Sequence, residues 1–76
     1  VSKRAPRTTG KAVVAALRRL GYAQVDIRGS HYHLRHPERG GLVTVPVHGT
    51  EILLPKTLKS VLAQADLTED ELREEL

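Results

Sequence analysis

Apolar residues recur at helical spacing near both ends of the chain and alternate with polar ones in between. Val13, Leu17 and Leu20 return at the interval that stacks side chains on one helix face. Val14 and Ala16 widen that stripe, while Lys11, Arg18 and Arg19 are left for solvent. Thr8 or Thr9 offers a capping hydroxyl and Gly21 a C-terminal stop, so the pattern predicts a helix over residues 9–20. Residues 22–28 then alternate, with Ala23, Val25 and Ile27 predicted to face in and Gln24, Asp26 and Arg28 to face out. Residues 31–36 and 41–47 read as two further strands, the last with Val43, Val45 and Val47 inward.

Gly29-Ser30 is a two-residue hairpin loop, and Pro37-Glu38-Arg39-Gly40 makes the next turn. Counting outward from these turns puts Ile27 against Tyr32, Val25 against Leu34, Leu34 against Val43 and Tyr32 against Val45 on the apolar side. The polar side then carries three rows: Arg28–His31–Pro46, Asp26–His33–Thr44 and Gln24–Arg35–Leu42. After a loop at His48-Gly49-Thr50, Pro55 opens a second helix whose buried face is Leu58, Val61, Leu62 and Ala65. Thr68-Glu69-Asp70-Glu71 begins a short last helix as a capping box, with Leu67 and Leu72 as its hydrophobic staple. The expectation is an α+β two-layer sandwich in which a three-stranded antiparallel sheet carries both main helices on one face. The order is α-β-β-β-α plus a short C-terminal helix, with residues 9–76 as one domain behind a flexible basic arm over residues 1–8.

Composition narrows this further. The 76 residues include no Phe, Trp, Met or Cys, so the core must be Val, Leu, Ile and Ala with at most two tyrosines. Without cysteine there are neither disulfides nor thiolate metal sites, which suits a reducing interior. No apolar run reaches the length of a membrane span, and the expected location is the cytoplasm. Charge is unevenly placed: residues 1–60 sum to +8 and residues 61–76 to −5. A basic body of this kind attracts polyanions, nucleic acid foremost.

The polar row of the first hairpin is where chemistry concentrates. His31 and His33 stand on one side of a strand with Cα atoms roughly 6.5–7 Å apart, close enough for two imidazoles to flank one phosphodiester. Histidine titrates near neutrality, so one ring can accept a proton while another donates. RNA supplies its own nucleophile, the 2′-hydroxyl. Arg28 across from His31, or Arg35 further along, can stabilise charge on phosphorus, and Asp26 opposite His33 can fix its tautomer. The same residues also suit ordinary solvated strand positions.

A zinc site at His31, His33 and His48 is a competing reading, weakened by the absence of cysteine and the placement of the acids at the far end. His36 points to the other face near a turn, where a structural or solvated histidine is expected. Lys56 and Lys59 at the start of the second helix, and Lys11 on the first, complete the candidate phosphate contacts.

Thr9-Gly10-Lys11, Leu20-Gly21-Tyr22, Gly29-Ser30-His31 and His36-Pro37 follow one another in an order that carries a resemblance. Val43-Thr44-Val45-Pro46-Val47-His48 and the run from Leu58 to Ala65 extend it. The chain resembles the HicA (YcfA-like) family of bacterial toxins, RNA-cleaving partners of HicB-type antitoxins. The resemblance implies a fold like the double-stranded RNA-binding domain and ribosome-independent mRNA cleavage with no cofactor. It also implies that the histidine of Gly-Ser-His, here His31, is catalytic. It assigns nothing to His33 or Asp26. The basic arm and Lys56, where such chains often carry glycine, depart from the pattern. A non-catalytic RNA-binding module and an antitoxin-binding interaction protein are the alternative functions.

Overall fold

The computed structural model describes residues 6–76. Its elements run α1 (Gly10–Arg19), β1 (Ala23–Arg28), β2 (His31–His36), β3 (Gly40–Pro46), α2 (Pro55–Ala65) and α3 (Glu69–Glu75). The strands form one antiparallel sheet in the order β1-β2-β3, which is the expected α+β architecture. The first five residues of the expected basic arm lie outside the described residues. The arm's last residue is held: Thr8 is buried and its carbonyl accepts from Leu53 N–H at 2.9 Å.

Each helix begins as its sequence dictates. Thr9 caps α1, its hydroxyl accepting from Ala12 N–H. Pro55 stands at the start of α2, where a missing N–H costs nothing. Thr68 and Glu71 close the reciprocal capping box of α3. Burial follows the apolar stripes: Val13, Val14, Ala16 and Leu17 of α1 and Leu58, Val61, Leu62 and Ala65 of α2 meet Leu34, Val43 and Val45 of the sheet, with Leu72 beneath α3. Each fully buried aliphatic side chain contributes about 1.5–3 kcal/mol over its exposed state.

The start of α1 comes close to the end of β3 at Gly10. A Cβ placed there would lie 2.0 Å from the Pro46 carbonyl oxygen, so only glycine lets the start of α1 rest on the end of β3. α2 lies across β3, and α1 packs against β3 and α3. Arg19 ties α1 to α3 through the Glu75 carbonyl and, at 3.6 Å, its carboxylate. Tyr22 is also buried, its hydroxyl donating to the Ala65 carbonyl at 2.6 Å. At the outer edge of β3, Gln64 of α2 accepts from Thr44 N–H at 2.9 Å.

The sheet departs from strict alternation in two places. β1 and β2 pair as expected from the turn outward, Arg28 with His31, Ile27 with Tyr32 and Asp26 with His33, until a bulge falls between Gln24 and Asp26. Beyond it Gln24, not Val25, stands opposite Leu34, and Ala23, not Gln24, stands opposite Arg35. The extra residue turns Val25 away from the helices: it is 53% exposed and borders the outer face with Asp26 and His33.

Ile27 keeps its inward register but remains 45% exposed, because the helices gather over the other strands. The expectation that β1 supplies core residues is therefore corrected; all six of its residues are exposed. The second irregularity follows Leu34. A three-residue loop joins β2 to β3, and His36 pairs with Gly40, whose φ of +66° places it in the left-handed region of such a bulged hairpin. Leu34 still faces Val43 and Tyr32 still faces Val45.

Candidate active site on the outer sheet face

The first hairpin turns on Gly29, with φ +58°, followed by Ser30 with an ordinary negative φ. Glycine at the first central position is the requirement of a type II′ turn, whose twist matches the strands it joins. That turn fixes the register and puts His31 first on β2, opposite Arg28 on one side and Pro46 on the other. His31 is exposed and makes no side-chain hydrogen bond among the described residues, so its imidazole is open to water and to a ligand.

His33 follows on the same face, half-buried. Its Nδ1 lies 3.0 Å from the Thr44 hydroxyl. The two residues are direct partners in the ladder, and the Thr44 amide points outward to Gln64, which makes them a non-hydrogen-bonded pair with side chains close together. Gln64 is held in turn by its contact with Ser60 at 3.2 Å. One run of hydrogen bonds thus leads from α2 over the edge of β3 to the His33 ring.

Asp26 stands opposite His33, as the register predicts, but its carboxylate is engaged elsewhere. Arg28 Nε donates to Oδ2 at 2.9 Å and Ile27 N–H to Oδ1 at 2.9 Å. The hydrogen bond from Arg28 is the main reason the exposed Asp26 carboxyl titrates below its ordinary value; some desolvation by neighbouring atoms opposes it, and the Ile27 amide and nearby positive charge, His33 included, assist. The partner of His33 is Thr44, which the sequence placed in the same row without a role. Asp26 instead steadies Arg28 beside His31.

Arg28, His33 and Arg35 share a shallow depression of about 400 Å³ with Asp26, Val25 and Leu42. The other candidate cations lie elsewhere. Lys11 lines a groove of about 820 Å³ on the helix side, between α1 and the inner surface of the sheet, together with Arg18, Gln24 and Tyr32. Lys56 and Lys59 are exposed on the first turns of α2. That helix start lies at the His31 end of the sheet, since Pro46 and His48 line one crevice with Thr57.

His48 does not join His31 and His33 around a metal: among the described residues no three of His, Cys, Asp and Glu gather closely enough to hold one. His36 is structural. Its ring packs edge-on to Tyr22 with centroids 5.0 Å apart, and Nδ1 accepts from the Glu38 and Arg39 amides. Among the described residues no helix is long and apolar enough to cross a membrane.

Compared with known proteins, residues 10–67 match the family described as the HicA toxin of bacterial toxin-antitoxin. No curated protein matches the chain. The matched span runs from the glycine packed on Pro46, through the exposed histidine, to the residue that precedes the Thr68 cap.

Proposed function

Since the chain belongs to the HicA toxin family of bacterial toxin–antitoxin systems, we propose that it is an endoribonuclease toxin that cuts mRNA on the outer sheet face. The observation that carries the proposal is His31: an exposed imidazole beside a two-residue turn, with no side-chain hydrogen bond among the described residues and with Arg28 directly across.

RNA brings its own nucleophile, so the protein has only protons and charge to manage. The 2′-oxygen attacks phosphorus and the bond to the 5′-oxygen breaks, leaving a 2′,3′-cyclic phosphate and a free 5′-hydroxyl. His31 removes the 2′-hydroxyl proton or delivers one to the departing 5′-oxygen. His33 is the second titratable ring within reach. With Nδ1 against Thr44, its Nε2 is the atom left to exchange a proton. Arg28, braced by Asp26, meets the negative charge that builds on the phosphoryl oxygens. Arg35 on the same face, and Lys56 and Lys59 at the His31 end of the sheet, hold flanking phosphates; Lys11, on the helix side, meets only a strand that continues around the molecule. No metal is required, because the nucleophile lies within the substrate. The partner protein is a HicB-like antitoxin, and the place of action is the cytoplasm, where mRNA is.

The test is cleavage of a defined mRNA by purified protein in EDTA, comparing the parent with His31→Ala. General acid–base catalysis contributes about 10²- to 10⁴-fold, so His31→Ala should lose at least about 100-fold in rate while its melting temperature is unchanged. A His31→Ala protein that still cuts at the parent rate would end the assignment. One that binds RNA as the parent does, where the parent itself never cuts, would leave a non-catalytic RNA-binding module.

A further inference from the structure

The outer face of a one-sided sheet ordinarily carries polar residues, yet two aliphatic side chains stand there in water. Val25 is 53% exposed and Leu42 43% exposed. Val25 is outward because of the bulge; Leu42 is outward as the residue before the buried, inward-facing Val43. Both border the depression shared with Arg35, Arg28 and His33. β2 is the central strand, so Arg35 lies between an apolar wall from β1 and another from β3. Arg35 is exposed and makes no hydrogen bond or ion pair among the described residues. Asp26, the one acid here, is taken up by Arg28.

An apolar hollow with a free guanidinium and no free carboxylate fits a flat, uncharged ring attached to an anionic backbone. We propose that this depression is a nucleobase subsite, in which the base of a nucleotide beside the scissile phosphate stacks on Arg35 between Val25 and Leu42. The inference rests on the RNA-cleavage reading and adds to it where the substrate is gripped. Bases stack well on guanidinium planes, and such stacking tolerates any base because every base has a π face. His31 and Arg35 are four residues apart on β2, about 13 Å, with His33 midway. A base over Arg35 therefore leaves its neighbouring phosphate beside His33, with His31 one step further along the strand. An apolar side chain of a partner protein is the competing occupant, but the cationic surround favours the polyanion.

The experiment measures binding in a His31→Ala background, which removes cleavage from the readout. Short single-stranded RNAs containing one cleavage site are compared with copies in which a single nucleotide is abasic, moved stepwise along the strand. At one position next to the cleavage site, loss of the base should weaken binding about tenfold, within the range base stacking supplies. In Val25→Ser/Leu42→Ser that difference should vanish while the affinity for the abasic strand stays the same. Both positions are exposed, so the melting temperature should be unchanged.

A base-dependent difference that survives in the double variant overturns the subsite. So does a double variant that loses only its antitoxin, which makes the hollow a protein-docking surface. The two readings fail separately: RNA cut by the parent with no base dependence removes the subsite alone, whereas base-dependent binding without cutting removes the nuclease alone.

Discussion

Replacing Gly10 by alanine tests the contact that joins the two layers. On propensity alone the change should help, since alanine is favoured over glycine by about 1 kcal/mol in a helix interior and by less at a first helical position such as this one. The structure reverses that sign. The new Cβ would stand 2.0 Å from the Pro46 carbonyl oxygen, 3.0 Å from its carbon and 3.1 Å from the Val47 Cα, whereas ordinary contact begins at 3.4 Å. The start of α1 and the end of β3 must separate by more than an ångström, and the obstruction is backbone, which has no rotamer to yield. Overpacking of this kind costs about 1–3 kcal/mol, occasionally more, and a clash this deep belongs at the upper end.

After the propensity gain, a net loss of about 2 kcal/mol is expected. For a domain of this size that lowers the melting temperature by roughly 8–16 °C. Urea melts of parent and variant followed by circular dichroism would measure it, with an unchanged m-value showing that both unfold from comparable native states. Cleavage should fall as well at temperatures where the variant is still folded, because Pro46 is the ladder partner of His31. A Gly10→Ala protein as stable as the parent, or more stable, would refute the close approach.

Two further outcomes follow from single contacts. Tyr22→Phe removes the donor to the Ala65 carbonyl and should cost about 1 kcal/mol, or roughly 4–8 °C in melting temperature; an unchanged melt would show that this bond contributes nothing. Because Asp26 titrates below the ordinary carboxyl value of 3.8, its tie to Arg28 is complete above that pH and is lost as pH falls through the lower folded value. A carboxyl NMR titration should move up toward the ordinary value in Arg28→Ala, and an identical curve in that variant would remove Arg28 as the cause.

The parts of the fold governed by local chemistry were legible in the sequence. Leu58, Val61, Leu62 and Ala65 are buried as their spacing requires, and Thr68 caps α3 because its hydroxyl and Glu71 satisfy orphan amides wherever they occur together. The turn at Gly29 set the register correctly for the residues nearest it, which is why Arg28, His31 and His33 stand where counting placed them. Counting failed at Val25, since one extra residue in a strand leaves no mark in composition: no glycine or proline announces this bulge. Ile27 failed for a different reason. Its face was right, but whether a helix covers that face depends on where α1 and α2 settle, which periodicity does not encode. The Asp26–Arg28 pair was missed because two like-facing neighbours on one strand compete with the cross-strand partner.

The borders of the sheet bear on how safely this protein can be stored at high concentration. A straight row of unsatisfied amides along a strand invites another molecule to pair with it and begin a fibre. Along β3 that row is interrupted at its middle by the Gln64 side chain, and along β1 it is bent by the residue inserted at Val25. Neither border presents an unbroken template, so the molecule can leave one broad sheet face uncovered by helices without making itself sticky at the rims.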